Sequence, residues 1–172
     1  GLLHIYCGDG KGKTSAAVGM AVRAAGCGMK VLVIRFLKTE NSGEVEVLRS
    51  IPGITVPPCE RTFGFVFRMT EEQKQEAALY YQSRFEAAAK EAVQGQYDLL
   101  ILDEILASCN YGMVRETSVV EFLKNRPEKL EVVLTGRNPS ETFLELADYV
   151  SEICMRRHPY EKGIPARRGI EF

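Results

Sequence analysis

Short apolar runs alternate along the chain with longer amphipathic or alanine-rich segments. The apolar runs predict strands, and the segments between them predict helices. The predicted strands cover residues 2–7, 30–36, 54–56, 97–104, 131–135 and 149–155, and the predicted helices cover 15–25, 43–50, 70–94, 105–111 and 138–146. Nearly continuous apolar runs are typical of strands buried on both faces of a parallel sheet. The alternation therefore predicts an α/β fold with a parallel sheet between two layers of helices.

Two predicted helices carry capping signals. Thr70 and Gln73 form a capping box at the start of the longest helix, whose good helix formers continue to Gln94. For the helix that ends near residue 146, Asn138 is the predicted cap, Pro139 the first helical residue, and Glu141 the second half of a box.

Phenylalanines alternate in the segment Thr62 to Phe67, at Phe63, Phe65 and Phe67, with Gly64 after the first of them. The pattern favours a strand that turns one aromatic face to the core. The alternative is an aromatic lid over a flat ligand.

A glycine-rich turn stands between the first strand and the first helix. It comprises Gly8, Asp9, Gly10, Lys11, Gly12, Lys13, Thr14 and Ser15. Such a turn directs several backbone N–H groups into one concavity, and the helix N-terminus behind it favours an anion. Lys13 adds a positive charge, and Thr14 can offer its hydroxyl to a divalent metal. The usual phosphate-loop pattern would have glycine in place of Cys7, so the triphosphate is expected to lie differently from that of ordinary kinases and GTPases.

Two carboxylates, Asp103 and Glu104, end the predicted strand at 97–104. Strands of a parallel sheet deliver such groups to the carboxyl edge, where ligands bind in open α/β folds. Either carboxylate is a natural partner of Thr14 for Mg²⁺ or Mn²⁺. The other interpretation is that the pair caps the helix that follows.

Composition narrows the choice of function. The 172 residues suit one domain, and a net charge of −1 gives no reason to expect a nucleic-acid partner. No apolar run reaches the roughly 20 residues that span a bilayer, and no signal segment precedes Leu2. The five cysteines show no metal-binding spacing, so we expect free thiols and a cytoplasmic location.

Taken together, the motifs resemble the phosphate-loop family of ATP:corrinoid adenosyltransferases, almost from end to end. The residues that carry the resemblance are GDGKGKTSAAVG at the start, FLK at 36–38, GFVF at 64–67, LDE at 102–104, TGR at 135–137, LAD at 146–148 and the closing HPYEKGIPARRGIEF.

The resemblance implies a RecA-like phosphate-loop NTPase fold, a homodimer, and a reduced flavoprotein as electron donor. It implies that ATP binds with its triphosphate reversed, so that cobalt(I) of a corrinoid attacks C5′ of the ribose and triphosphate leaves. The implied ATP site comprises residues 8–15, Arg23 and Arg137, with Thr14, Glu104 and Asp103 around Mg²⁺. The implied catalytic set comprises Lys13, Phe65 and Phe67, of which Phe65 matches an aromatic residue at the corrinoid site.

Some positions depart from the family pattern. Arg35 and Arg168 stand where glutamine is expected, and Thr39 stands where glycine is expected, which bears on how corrinoid side chains are recognised. The N-terminal extension that some members fold over the active site is not expected here. The basic tail from residue 156 is interpreted either as a solvated surface or as a neighbour of bound phosphates.

Two other functions stay open at this point. A small-molecule kinase or RecA-type ATPase shares the glycine-rich turn and the carboxylates, but it needs a base near the γ-phosphate that the sequence does not offer. A nucleotide-dependent corrinoid carrier would bind both ligands without releasing triphosphate. A GTP-binding switch is disfavoured because no N-K-x-D segment is present.

Overall fold

In the computed structural model, which describes residues 1–171, the apolar runs form one sheet of six parallel strands. The strands are β1 (Leu3–Cys7), β2 (Val31–Arg35), β3 (Ile54–Thr55), β4 (Leu99–Asp103), β5 (Glu131–Thr135) and β6 (Tyr149–Glu152). Their order across the sheet is β3-β2-β4-β5-β1-β6, and every neighbouring pair is parallel. All residues of β2 and β4 are buried, as expected for strands covered on both faces.

Over residues 1–171, six α-helices cover the sheet. They are α1 (Lys13–Gly26), α2 (Glu44–Ser50), α3 (Glu71–Gln94), α4 (Ile105–Asn110), α5 (Glu116–Asn125) and α6 (Glu141–Leu146). Apolar residues of α1 and α2 pack on one face of the sheet, and those of α3 to α6 pack on the other. The predicted three-layer α/β class is therefore confirmed. Helix α5 was not predicted, whereas the capping box of α3 is present, with Thr70 and Gln73 bonding each other's backbone N–H groups.

The parallel arrangement brings the glycine-rich turn and the two predicted carboxylates to one edge of the sheet. The glycine-rich turn follows β1, residues 36–43 follow β2, Glu104 follows β4, and Gly136 follows β5. Strand β5 lies between β1 and β4, so the phosphate-loop strand and the carboxylate strand are separated by one strand. Among residues 1–171, no helix has the length and apolar character needed to cross a membrane.

The prediction of a strand over 62–67 is wrong. Gly64 has a φ of 74°, a left-handed conformation that breaks extended pairing, and a 3₁₀ turn follows at Val66–Arg68. Phe63 packs against the core through Tyr80 and Tyr81, with ring centroids 5.6 and 5.8 Å away. Phe65 and Phe67, which follow Gly64, are exposed.

The predicted start of the sixth helix is also wrong. Asn138 does not cap it, because its φ of 48° places it in a left-handed turn before the helix. Helix α6 begins at Glu141, and the hydroxyl of Ser140 accepts a hydrogen bond from the Phe143 N–H. Ser140 also donates to Glu116 of α5 at 2.7 Å, which joins the two helices.

Replacing the observed cap should reveal this difference in solution. Ser140→Ala removes the cap and the bond to Glu116, and we expect it to lower the free energy of unfolding by about 1 kcal/mol. Asn138→Gly keeps the left-handed turn and should be close to neutral. Urea denaturation of both variants measures the two changes, and equal losses would contradict the assignment of Ser140 as the cap.

Candidate active site

The glycine-rich turn owes its shape to the chain that follows β6. Gly10 N–H donates to the carbonyl of Ile153 at 2.7 Å, and a Cβ on Gly8 or Gly10 would lie within 2.4 or 2.7 Å of that oxygen. Gly8 and Gly12 have φ values of 104° and 122°, which favour glycine. Cys7 is the last residue of β1, so the turn begins one residue later than the usual pattern.

The two lysines of the turn have different environments. Lys13 is buried, its Nζ donates to the carbonyl of Gly10 at 2.9 Å, and burial lowers its pKa. Lys11 is 51% exposed and lies 3.6 Å from the carboxylate of Glu171, which brings the tail back to the turn. Lys13 is thus held within the concavity, whereas Lys11 lies at its rim.

The hydroxyl of Thr14 and the carboxylate of Asp103 are in direct contact. Thr14 Oγ1 donates to Asp103 Oδ1 at 3.0 Å, and Thr135 Oγ1 donates to the same oxygen at 2.7 Å. The ammonium of Lys38 contacts both Thr14 and Asp103, at 2.7 Å from Thr14 Oγ1 and 2.5 Å from Asp103 Oδ2. Because Asp103 is 2% exposed, these three donors supply the partners that a buried carboxylate requires.

Glu104 is held in a strained conformation next to this group. Its φ is 63°, unusual for a residue other than glycine, and its N–H donates to Thr135 Oγ1 at 2.9 Å. Burial raises its pKa and the charge of Asp103 raises it further, while Lys38 and Lys13 act in the opposite direction. The charges of Asp103, Lys38 and Lys13 therefore all act on the Glu104 carboxylate.

A cavity of about 830 Å³ opens on the Thr14 side of the turn, and we call it the first cavity. Ser15 and Val18 of α1 form one wall, Thr39 lies on the loop after β2, and residues 169–171 close the other side. Arg35 also lines it and is 2% exposed. Its Nη2 donates to the Thr39 carbonyl at 2.8 Å, while Nε and Nη1 have no hydrogen-bond partner among the described residues.

A second cavity, of about 480 Å³, is lined by Leu37, Lys38, Glu104, Tyr111 and Arg137 among others. Lys38 belongs to the lining of both cavities. A third cavity, of about 750 Å³, lies at the opposite end of the turn beside Gly8 and Asp9. The phosphate loop therefore has a cavity at each end.

The aromatic pair lies outside the core. Phe65 and Phe67 are 65% and 78% exposed, and their rings stack with centroids 5.4 Å apart. The Arg68 guanidinium lies 5.8 and 5.6 Å from the two ring centroids. Val66 between them packs on the same core cluster as Leu37 and α4, so the pair stands on the face of the sheet that carries α3 to α6.

Other predicted residues lie further from the carboxylates. Asp9 accepts a hydrogen bond from Met155 N–H at 2.9 Å, which lowers its pKa, and Arg137 is 3.5 Å from the Asp9 carbonyl. Arg23 is exposed in the last turn of α1, about 15 Å along the helix from Lys13. Its predicted contact with the nucleoside stays a prediction.

Sequence reasoning missed Lys38 and Thr135 as members of this group. Lys38 follows β2 and Thr135 ends β5, so both lie at the carboxyl edge of the sheet, and this position could have marked them as site residues. Which of their side chains reaches Asp103 depends on strand order, and the sequence did not specify that order.

Comparisons with known proteins identify the family. The family model described as ATP:corrinoid adenosyltransferase BtuR/CobO/CobP matches residues 1–172. The corrinoid adenosyltransferase of Pseudomonas aeruginosa is 32% identical over 173 residues, which span 100% of this chain and 84% of that protein. The corrinoid adenosyltransferase of Escherichia coli strain K12 is 33% identical over 173 residues, which span 100% and 86%. This chain belongs to the ATP:corrinoid adenosyltransferase family.

Among solved structures, EssC (ATPases 2 and 3) from Geobacillus thermodenitrificans superposes with a TM-score of 0.50 and 12% identity. The match covers 99% of this chain and 36% of that chain, and it bears on the fold alone. It agrees with the predicted phosphate-loop NTPase class.

Family membership confirms the resemblance drawn from the motifs. The chain is an enzyme of ATP-dependent corrinoid adenosylation, and ATP and a corrinoid are its substrates. The kinase and carrier alternatives are not favoured.

Proposed function

We propose that this adenosyltransferase binds ATP in reverse across the phosphate loop. Cobalt(I) of the corrinoid would then attack C5′ of the ribose, the C5′–O bond would break, and inorganic triphosphate would leave. The observation that supports this proposal is the position of the first cavity, on the Thr14 side of the loop.

The two possible orientations of ATP differ in which end of the loop receives the nucleoside. In ordinary phosphate-loop enzymes the metal held by the loop Thr or Ser bridges the β- and γ-phosphates, so the nucleoside lies at the other end of the loop. A reversed nucleotide puts the α-phosphate and C5′ beside Thr14 and Asp103 instead. The first cavity has the volume of a typical small-molecule site and can receive the nucleoside there. The third cavity, beside Gly8, would receive it in the ordinary orientation.

Thr14, Asp103 and Glu104 fit a role in holding Mg²⁺ or Mn²⁺. Thr14 and Asp103 already share one cation, the Lys38 ammonium, which shows that their oxygens can be bridged by positive charge. Within residues 1–171 no three His, Cys, Asp or Glu side chains converge on a metal position. Mg²⁺ commonly uses one or two carboxylates together with substrate phosphates and water. Bound there, it would neutralise charge on the departing triphosphate.

The remaining residues of the loop would stabilise the same charge. The Gly10 N–H is engaged by the Ile153 carbonyl, so the other backbone N–H groups of the loop and the buried ammonium of Lys13 would carry this role. Donors that are fixed before the reaction begins stabilise developing charge best. No general base is required, because cobalt(I) is already an electron-rich nucleophile. The main task of the protein is then to place C5′ in line with cobalt.

The corrinoid would approach from the second cavity, which meets the first at Lys38. Phe65 and Phe67 present an exposed apolar surface on that face of the sheet. We propose that they cover the lower face of the corrinoid and keep water from the cobalt, which eases its reduction.

We also propose a homodimer, a reduced flavoprotein as electron donor, and a cytoplasmic location. The exposed Tyr149 and Val150 of edge strand β6 offer a surface for a second subunit. The five cysteines are free, which suits a reducing compartment.

The products test the reaction. Anaerobic incubation with ATP, Mg²⁺ and cobalt(I) cobalamin should consume the reduced-cobalt absorbance and release one inorganic triphosphate per adenosylated corrinoid. Release of ADP and phosphate in that proportion would contradict the proposal.

A matched pair of substitutions tests the orientation of the nucleotide. Val18→Trp fills the first cavity and should weaken ATP binding at least about tenfold, while binding of inorganic triphosphate stays within about threefold of wild type. Leu144→Trp fills the third cavity and should leave both affinities near wild type. Calorimetric titration measures both ligands, and the opposite pattern would indicate the ordinary orientation.

A second pair tests the aromatic surface. Phe65→Ala should keep its activity with chemically generated cobalt(I) but lose at least about tenfold with cobalt(II) and a reduced flavoprotein, because water then reaches the lower face of the cobalt. Tyr160→Ala removes an exposed aromatic ring elsewhere and should change neither rate. Unchanged activity of the Phe65 variant with the flavoprotein would refute this role.

A further inference from the structure

Lys38 makes a contact that the reaction as proposed does not use. Its Nζ lies 2.7 Å from Thr14 Oγ1 and 2.5 Å from Asp103 Oδ2, and these are two of the three residues proposed to hold the metal. Its side chain is 23% exposed, whereas that of Asp103 is 3% exposed. The ammonium thus reaches from a partly open position to a buried carboxylate.

A divalent metal with the same ligands would compete directly with this ammonium. Both cations use oxygen lone pairs of Thr14 and Asp103, and two like charges a few ångströms apart repel each other. The hydroxyl of Thr14 is also engaged already, because it donates to Asp103 Oδ1 and accepts a hydrogen bond from Lys38. The metal can take these oxygens only if Lys38 withdraws.

We propose that Lys38 holds the metal position while the nucleotide is absent and moves to the phosphate oxygens when the metal–nucleotide complex enters. The inference rests on the metal ligands proposed above. A lysine suits this exchange, since its ammonium sits on a flexible four-carbon stem and interacts as a point charge. Lys38 borders both the first and the second cavity, so it has space into which it can withdraw.

Such an exchange couples the two ligands. Without nucleotide, a free divalent ion must displace Lys38 with no new partner for the ammonium, so free metal binds weakly. The triphosphate brings negative charge that receives the ammonium, so the metal binds tightly only together with the nucleotide. The site therefore keeps its buried carboxylate paired in both states.

Metal binding in the absence of nucleotide provides the test, with Mn²⁺ as the probe and electron paramagnetic resonance of free Mn²⁺ as the measurement. Lys38→Met should bind Mn²⁺ at least about tenfold more tightly than wild type. Lys38→Arg keeps the cation and should resemble wild type. Lys11→Met removes one positive charge from the glycine-rich turn without changing a contact of Thr14 or Asp103, and should stay within about threefold of wild type.

Addition of ATP, without corrinoid, supplies the second half of the test. Lys38→Met should then bind ATP with Mn²⁺ several-fold more weakly than wild type, because the ammonium that would contact the phosphates is missing. If Lys38 had only a structural role, its loss would weaken Mn²⁺ binding both with and without ATP. Tighter Mn²⁺ binding without ATP therefore distinguishes the proposed role from a structural one. The variant keeps the Thr14 and Thr135 hydroxyls on Asp103, which support its folding.

Two outcomes overturn the inference in different ways. In the first outcome, Lys38→Met binds Mn²⁺ without ATP no more tightly than wild type, and in Asp103→Asn the addition of ATP no longer strengthens Mn²⁺ binding to the protein. The proposed metal ligands are then supported, and the proposed role of Lys38 is wrong. If Asp103→Asn binds Mn²⁺ with ATP as tightly as wild type, the proposed metal ligands are themselves wrong, and the inference fails with them.

Discussion

A buried carboxylate at the end of a central strand sets the conditions for the rest of the site. Removing the charge of Asp103 from water is costly unless hydrogen bonds and an opposite charge replace the solvent. Hydroxyls from α1 and β5 and the ammonium of Lys38 after β2 provide that replacement. Three separate segments of the chain must therefore converge on one point, and the parallel sheet is what brings them to the same edge.

The position of β5 between β1 and β4 gives this convergence its geometry. Had the phosphate-loop strand been the direct neighbour of β4, no strand would separate Thr14 from Asp103. With β5 in between, Thr135 fills the gap and serves both carboxylate-bearing residues, as a donor to Asp103 and as the acceptor of the Glu104 N–H. The strained backbone of Glu104 is tolerated because that hydrogen bond fixes it.

Much of the fold could be predicted from the sequence where one local signal dominates. Strand β5 was predicted with its observed bounds, and the start of α3 follows from its capping box, because each depends on residues close in sequence. The prediction of a strand at 62–67 was wrong because Gly64 turns the chain, and of the three phenylalanines only Phe63 packs against the core. The predicted start of α6 at Asn138 was wrong because Ser140 caps the helix instead, and its hydroxyl also bonds to Glu116 of α5.

The candidate site shows the same division. The glycine-rich turn, Thr14 and the two carboxylates could be predicted, since each is marked by its place after a strand. Lys38 could not be placed, because the partner of a long flexible side chain depends on which loops become neighbours in space.

The departures from the family pattern acquire a different meaning in three dimensions. Arg35 and Thr39 were expected to bear on recognition of the corrinoid side chains, yet both line the first cavity, and the Arg35 guanidinium donates to the Thr39 carbonyl. Both residues lie next to Thr14 and α1, on the opposite face of the sheet from Phe65 and Phe67. If the nucleoside occupies the first cavity, then these two residues would line its site, where Nη1 of Arg35 lies 3.8 Å from the Glu40 carboxylate and Nε has no hydrogen-bond partner among the described residues. The departures at these two positions would then bear on the nucleotide and not on the corrinoid surface proposed for Phe65 and Phe67.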